Sequence, residues 1–350
     1  MTDHLDPMIE AFDFQARACD RLGSPMYARV LDGLKNDYLA RGICFALLHG
    51  SSERPVHDAI PLRLLGALHC LVLEGRCKHL GEQYPSTGGS PNSSIIADVI
   101  QAIDENRDYI ATQLSQQVQT NEAARAISHI AIAHWLTQLN VATFQLLEIG
   151  ASAGLTMSFD SYAYNLGTSI VGDPNSALCF ELGDTDIPFP VSTTPAKCVS
   201  RKGVDIASID INNDSNVTRL LSFVWPDQTE RFNRLKKAMA ISKTLQHQID
   251  NESVDTWLPR QLNADHGTPI LVFHSIVWQY LGTEVQSSVR ETLCAAGEHR
   301  RKDSPLVWAR MEPNGPMADL RATVWNGSDN AQEFVLADIG YHGTPFLWRQ

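Results

Sequence analysis

Residue types that can bind a ligand are concentrated in the stretch Phe144–Leu155, where an apolar run leads into Gly150 and Gly154. Glycine lets the backbone turn sharply and approach a ligand closely. The first N–H groups of a helix that follows such a turn point toward whatever lies above the strand end. We therefore expect a buried strand, a glycine turn and a helix, with a nucleotide cofactor or a nucleophile at the turn.

Three chemistries fit this turn, and a tight connection without any ligand fits it as well. A dinucleotide fingerprint needs a middle glycine, and Ser152 stands there, so NAD and FAD are disfavoured. As Gly-x-Ser-x-Gly, the turn matches the nucleophile elbow of a serine hydrolase, with Ser152 as nucleophile. As acidic-x-Gly-x-x-x-Gly, it resembles the first motif of class I S-adenosylmethionine (SAM) methyltransferases. That motif would place Glu148, Gly150, Ala151, Ser152 and Gly154 around the cofactor.

Two further carboxylates follow segments that we expect to end at one edge of a parallel sheet, where open α/β sheets bind their ligands. Asp205 comes after the predicted strand Lys197–Ser200, and it would accept hydrogen bonds from both hydroxyls of a ribose. Glu252 comes after a predicted helix over Asp227–Thr244 and would lie near the amino group of an adenine. A solvated turn and an ordinary loop acid explain the same two residues.

The candidates for the substrate side are His274 and Glu312, which end two predicted strands, Ile270–His274 and Leu306–Met311. A histidine at a strand end can act as a general base or hold a substrate. A carboxylate at the same edge can bind a cationic group or remove a proton. A hydrogen-bonded structural histidine and a loop-capping acid are the alternatives.

A serine hydrolase would also need an acid and a histidine downstream of its nucleophile. Asp265 with His274, or Asp338 with His342, can be assigned to that role. Neither pair is distinguished by its spacing. The hydrolase therefore remains an alternative that depends on Ser152 alone.

The first 140 residues are predicted to be helical. Asp6 and Pro7 are a helix start signal, and apolar residues then recur at helical spacing without any β-α repeat. The longest such pattern predicts a single amphipathic helix over Ile96–Val118. We expect residues 1–140 to form an all-α N-terminal cap region.

Residues 141–350 read instead as an α/β domain. Strands and helices alternate, which favours a parallel sheet with crossover helices. Asn326-Gly327 then signals a hairpin turn between strands near the end of the chain. The predicted fold is a Rossmann-like class I methyltransferase sheet with a C-terminal antiparallel hairpin. The predicted strands are Phe144–Ile149, Lys197–Ser200, Ile270–His274 and Leu306–Met311, and the predicted helices follow Gly154 and cover Asp227–Thr244 and Thr283–Ala295.

Composition limits the partners of the chain. A net charge of −12, without a stripe of basic residues, disfavours nucleic acid and anionic membranes and favours a small-molecule substrate or a protein partner. The seven cysteines are scattered and form no C-x-x-C pair, so we expect free thiols and no metal held by cysteine. The N-terminus lacks the features of a signal peptide, and we expect a cytoplasmic protein.

An ordered series of motifs resembles an uncharacterised bacterial family called domain of unknown function 2332. The resemblance implies a core similar to SAM-dependent methyltransferases, without an assigned substrate or catalytic residue. At the third strand end the family tends to have glycine-aspartate-alanine, whereas this chain has Asn251-Glu252-Ser253. The motifs are Leu146–Leu155, Asp160–Tyr164, Gly172–Pro174, Arg201–Asp205, Trp225–Gln228, His274–Tyr280 and Met311–Pro313, with Tyr84–Ser86, Gly88-Gly89 and Asn121-Glu122 in the first half.

The sequence thus predicts a SAM-dependent methyltransferase that acts on a small or medium-sized molecule. Glu148, the glycine turn, Asp205 and Glu252 would bind SAM, and His274 and Glu312 would face the substrate. A serine hydrolase that uses Ser152, and a ligand-binding protein that keeps the sheet without turnover, are the alternatives.

Overall fold

The computed structural model describes residues 6–119, 121–183, 185–263 and 267–350. Their contacts form two compact units. The first unit is Met1–Thr120 with Asn212–Lys236, and the second is Asn121–Ile211 with Lys237–Gln350. The predicted division near residue 140 concerns the order of elements along the chain and stays a prediction. Within the described ranges, no helix is long and apolar enough to cross a membrane.

The first unit is helical, which confirms the predicted N-terminal helical region. Its helices bury a shared apolar core that includes Phe12, Tyr27 and Leu68, and Trp225 from the second segment joins the same core. The helices are α1 (Pro7–Arg21), α2 (Pro25–Leu39), α3 (Ile43–Leu48), α4 (Ile60–Leu73), α5 (Lys78–Gly81), α6 (Ile95–Glu105) and α7 (Arg107–Leu114).

One predicted helix of this unit is divided in two. The helix predicted over Ile96–Val118 is broken at Asn106, between α6 and α7. The side-chain amide of Asn106 donates to the carbonyl of Ala102 at 2.9 Å. Asparagine competes with the helix in this way because its amide offers the backbone another hydrogen-bond partner.

The second unit is built on a mixed sheet, as predicted. In the described residues the sheet has eight strands in the order β11-β10-β9-β8-β7-β1-β5-β6, and a small sheet has the order β3-β2-β4. Strands β6, β5, β1, β7 and β8 are parallel, and β8 to β11 are antiparallel. The strands are β1 (Thr143–Ile149), β2 (Ala163–Asn165), β3 (Ile170–Gly172), β4 (Cys179–Glu181), β5 (Lys197–Asp205), β6 (Gln248–Asn251), β7 (Ile270–Ser275), β8 (Leu306–Asn314), β9 (Met317–Trp325), β10 (Gln332–Ile339) and β11 (Phe346–Trp348).

Helices contact both faces of the large sheet. On one face, Leu147 and Ile149 join a core with residues of α11 and α12. On the other face, the ring of His129 lies 3.9 Å from that of Phe273, measured between centroids. Helix α9 belongs to the first unit, and the boundary between the units falls within α10. The helices that follow residue 120 are α8 (Ala126–Trp135), α9 (Asp214–Ser222), α10 (Thr229–Leu245), α11 (Val254–Asn263) and α12 (Thr283–Gly297).

Strand register separates the candidate residues onto these two faces. Glu148 is paired with Phe273, and Ile149 is paired with His274. Because paired residues share a face and successive residues alternate, Glu148 points toward α8, whereas His274 points toward the face of α12. Two of the predicted site residues therefore lie on opposite faces at one end of the sheet.

The segment after Gly154 differs from the prediction. In place of an α-helix, Thr156–Ser161 forms a short 3₁₀ helix. Side chains take the carbonyl groups that α-helical bonds would use: Tyr162 donates to Leu155, Arg201 to Met157 and Tyr164 to Phe159. The turn is therefore not followed by a long helix with a full set of N–H groups at its start.

Three boundaries are also corrected. The strand predicted to end at Met311 continues to Asn314, so Glu312 lies within β8. The strand predicted to end at Ser200 continues to Asp205, so Asp205 closes β5 instead of following it. The predicted two-residue turn at Asn326-Gly327 is part of a longer connection that runs to Ala331 before β10 begins.

Candidate functional site

The glycine turn after β1 is held against the end of β5. Gly150, Ser152 and Gly154 all have positive φ angles, of 71°, 51° and 70°. The N–H groups of Gly150 and Ala151 donate to the carbonyl of Val204 at 2.8 and 3.1 Å. Glycine adopts these angles without strain, whereas a serine with positive φ carries a cost of about 1 kcal/mol or more. The sequence correctly placed a sharp turn at this point.

Ser152 has a buried hydroxyl without a catalytic partner. Its Oγ makes no hydrogen bond to any described residue. Each of the two acid–histidine pairs proposed for a hydrolase has one member engaged elsewhere: His274 pairs with Glu312, and Asp338 pairs with Arg349. Asp265 lies outside the described residues. The Gly-x-Ser-x-Gly motif therefore contains a strained serine whose hydroxyl contacts no general base among the described residues.

Asp205 joins the ends of the first two parallel strands. Its Oδ2 accepts the N–H of Ser152 at 2.9 Å, and its Oδ1 accepts the N–H of Ala207 at 2.8 Å. The residue is half-buried. A carboxylate oxygen has two acceptor positions, so each oxygen retains capacity for a ligand hydroxyl.

Glu148 is bound on both carboxylate oxygens by its own chain. Thr156 donates to Oε1 at 2.5 Å, and Nε2 of His129 lies 3.2 Å from Oε2. Glu148 is 2% exposed. A buried carboxylate is stable only when it is hydrogen-bonded, and these partners supply that need. Glu148 thus fixes the segment after the turn to α8.

His129 was not among the residues that the sequence predicted for the site. It lies in the apolar helix α8, 19 positions before Glu148. No spacing rule connects a helix residue to a strand residue at that distance. The one available signal was a histidine within an apolar helix. Such a residue needs a polar partner when it is buried.

Glu252 is placed near Asp205 by its backbone and is held away by its side chain. Its N–H donates to the carbonyl of Asp205 at 3.2 Å. Its carboxylate forms an ion pair with Arg260 at 2.5 Å and accepts from Thr256 at 3.3 Å. A contact with an adenine would compete with this pair, so that role stays a prediction.

His274 and Glu312 are brought together, as two residues of one site would be. Nδ1 of His274 lies 2.6 Å from Oε1 of Glu312, which also accepts the N–H groups of Val277 and Trp278 at 3.1 and 3.2 Å. The imidazole is fully buried and packs near the rings of Trp278 and Trp308, at 5.1 and 5.9 Å between centroids. Nε2 of His274 and Oε2 of Glu312 have no hydrogen-bond partner in the described chain.

The loop after β7 contacts the glycine turn. A Cβ on Gly150 would lie 2.6 Å from Cγ2 of Val277, so only glycine fits beneath this side chain. Ile276, the preceding residue, has a φ of 52°. A β-branched residue with positive φ is an outlier that costs about 1–3 kcal/mol, and such strain is concentrated at functional sites.

A serine in the 3₁₀ helix after the turn, Ser158, pairs with a histidine. Oγ of Ser158 is 2.6 Å from Nε2 of His247 and 2.7 Å from Oγ of Ser242. Burial, with a smaller contribution from the nearby Arg201, lowers the pKa of His247 to about 4. Ser158 is fully buried, so this pair connects parts of the fold and does not meet a substrate.

The described part of the chain contains no group of three or more His, Cys, Asp or Glu residues arranged to hold a metal ion. All seven cysteines lie in that part and are free, and Cys179 and Cys294 are exposed. The polar residues at the strand ends are held by hydrogen bonds to other parts of the chain, and they comprise Glu148, Ser152, Asp205, His274 and Glu312.

These features define a mixed α/β protein whose candidate site lies where parallel strands end. Residues 9–348 match the profile of the family described as uncharacterized protein conserved in bacteria, DUF2332. The chain belongs to this family, which confirms the family predicted from the motifs. No curated protein and no solved structure matches the chain.

Proposed function

We propose that the protein is a SAM-dependent methyltransferase that acts on a small or medium-sized molecule in the cytoplasm. The strand order is the observation that carries this proposal. Counted along the chain, the five parallel strands have the order 3-2-1-4-5, and the glycine turn follows strand 1. Open α/β sheets bind ligands at such a switch point, outside the carboxyl ends of the strands. A Rossmann-like methyltransferase sheet has this order.

The residues at the switch point fit an adenosyl cofactor in part. Asp205 retains acceptor capacity for two ribose hydroxyls, and the unpartnered Oγ of Ser152 is a polar group that a ligand would satisfy. Glu148 is already engaged by Thr156 and His129. We therefore assign Asp205 and the turn to direct binding, and Glu148 to holding the turn in place.

SAM, when bound, would supply a methyl group on a sulfonium, and the chain would position the acceptor in line with it. His274 would be the general base. In the neutral tautomer with the proton on Nδ1, the Nδ1–H group of His274 donates a hydrogen bond to Glu312, and Nε2 has a free lone pair. Glu312 then fixes the tautomer of His274, as the carboxylates of histidine dyads do.

The proposal is tested by calorimetric titration of the full chain with SAM and with its demethylated product, S-adenosylhomocysteine. We expect micromolar binding that Asp205→Ala weakens by about tenfold or more, because two hydrogen bonds to the ribose are lost. Asp338→Ala is the matched control, since it removes a strand carboxylate that pairs with Arg349. A folded protein that gives no heat with either ligand would reject the cofactor.

A serine hydrolase is the second candidate, and the positive φ of Ser152 favours it. Labelling of the wild type, and not of Ser152→Ala, by a fluorophosphonate probe would support that activity. The lack of a histidine beside Oγ leads us to expect no labelling. A binding protein without turnover would bind SAM and transfer its methyl group to no acceptor.

A further inference from the structure

The strained loop after β7 covers two of the candidate groups at once. Val277 lies against Gly150, at the turn that would receive the cofactor. Trp278 stacks near the imidazole of His274, with 19° between the ring planes, and Nε2 of that imidazole is buried. In this arrangement the side chain of Val277 packs on the glycine turn, and the imidazole of His274 is fully buried beside Trp278. The loop is therefore in a closed arrangement.

Glu312 is the group that holds this arrangement. Its Oε1 accepts three hydrogen bonds, from His274 and from the N–H groups of Val277 and Trp278. The N–H of Ile276 donates to the carbonyl of Met311 at 2.9 Å, which fixes the other side of the strained residue. The same few contacts thus maintain an unfavourable φ at Ile276 and cover the site.

We propose that residues 275–278 form a gate over the glycine turn and that Glu312 is its latch. Glu312 is then a positioning residue, because it acts through the loop and through His274. Strain at Ile276 favours opening, and the three hydrogen bonds to Glu312 favour closure. Since the two tendencies oppose each other within one short loop, the gate opens without unfolding of the sheet. That it admits SAM rests on the proposed function.

Hydrogen exchange of the Val277 and Trp278 amides in the full-length protein measures the latch directly. In the wild type we expect both amides to exchange through local opening, faster than the amides of β1 and β7. Glu312→Ala should increase their exchange rates by about tenfold or more, and Glu312→Gln, which keeps an acceptor oxygen, should largely restore them. Asp319→Ala is the control, because Asp319 is the cross-strand partner of Glu312.

A second variant tests the strain and does not depend on removing the carboxylate. Asparagine tolerates positive φ better than isoleucine does, so Ile276→Asn should stabilise the closed loop and slow exchange of the two amides. The gate would be overturned if the amides of Val277 and Trp278 exchanged as slowly as those of the core strands, and if their exchange rates were the same in the wild type, in Glu312→Ala and in Ile276→Asn.

The outcome for the gate can be separated from the outcome for the cofactor. Local opening that responds to both variants supports the gate even if S-adenosylhomocysteine gives no heat of binding. The absence of binding heat would then reject only the proposed function. Normal binding of S-adenosylhomocysteine with no local opening would reject only the gate.

Discussion

Two buried histidines, one in each unit, have opposite hydrogen-bond environments. In the first unit, both ring nitrogens of His69 are paired, Nδ1 with the carbonyl of Ser222 at 3.1 Å and Nε2 with Oγ of Ser86 at 2.8 Å. In the second unit, His274 pairs through Nδ1 only. Buried polar groups are usually paired, so an unpaired one at a strand end needs an explanation, and a ligand or a moving part is one such explanation.

The motif acids of the two units differ in the same way. In the first unit, Asp227 uses both oxygens, because Oδ1 accepts from Ser24 at 2.5 Å and Oδ2 accepts the N–H of Met26 at 3.1 Å. Asp227 thereby caps α2 from a distant part of the sequence. In the second unit, Glu312 leaves Oε2 unpaired. The role of Asp227 is thus explained by the stability of the first unit, whereas the unpaired oxygen of Glu312 is not explained by stability.

Replacing each of the two histidines with leucine should lower the free energy of unfolding by different amounts, and the loss at His69 is the largest effect that we expect. His69→Leu leaves the carbonyl of Ser222 and the hydroxyl of Ser86 unpaired, and we expect a loss of about 2–4 kcal/mol in the free energy of unfolding. His274→Leu leaves Glu312 with two backbone donors and should cost about half as much. Urea unfolding of both variants measures the difference. Equal losses would contradict the comparison.

His69 should also contribute to the pH dependence of the free energy of unfolding. Burial lowers the pKa of His69 to about 4, so the folded state disfavours the proton that the unfolded chain binds below a pH of about 6.5. The stabilisation is complete above about pH 6.5 and is lost as the pH falls toward 4, by about 3 kcal/mol. Urea unfolding at several pH values should show this slope in the wild type and a smaller one in His69→Leu. An unchanged slope in the variant would exclude His69 as its source.

Glu148 is expected to combine a structural and a functional effect. Glu148→Ala leaves His129 and Thr156 without their buried partner, and we expect a loss of about 1–3 kcal/mol in the free energy of unfolding. Because Glu148 holds the segment after the turn, affinity for SAM should fall by about tenfold in a protein that still folds. Calorimetry with circular dichroism as a folding check measures both. SAM affinity equal to that of the wild type would remove Glu148 from the site.

The smallest effect on stability is expected at Glu252. Its ion pair with Arg260 is partly exposed, so Glu252→Gln should change the free energy of unfolding by less than about 1 kcal/mol. If the carboxylate also contacts an adenine, the same variant will weaken SAM binding without loss of stability. If affinity is unchanged, Glu252 is a surface residue and the predicted adenine contact is rejected.

The sequence predicted those parts of the fold that local patterns determine. The apolar runs of β1, β7 and β8, the glycine turn and the antiparallel end of the sheet were all recognisable. The sequence also placed His274 and Glu312 at one edge of the sheet, because parallel strands bring their carboxyl ends together, but it did not predict the hydrogen bond between them.

Contacts between distant elements were not recognisable. The pairing of His129 with Glu148 depends on how α8 packs on the sheet. The 3₁₀ helix after the turn depends on three side chains that take its carbonyl groups. The positive φ of Ile276 depends on Glu312, which follows it by 36 positions. None of these interactions leaves a spacing pattern in the sequence.

We propose that the incompletely paired polar groups at the switch point of the second unit belong to a SAM site. The most direct test is ultraviolet cross-linking of the full chain to SAM that carries a tritiated methyl group, followed by peptide mapping. We expect label in peptides that contain residues 150–155 or 205–209, and we expect this label to be lost when S-adenosylhomocysteine competes. Label confined to the first unit, or no label on a folded protein, would contradict it.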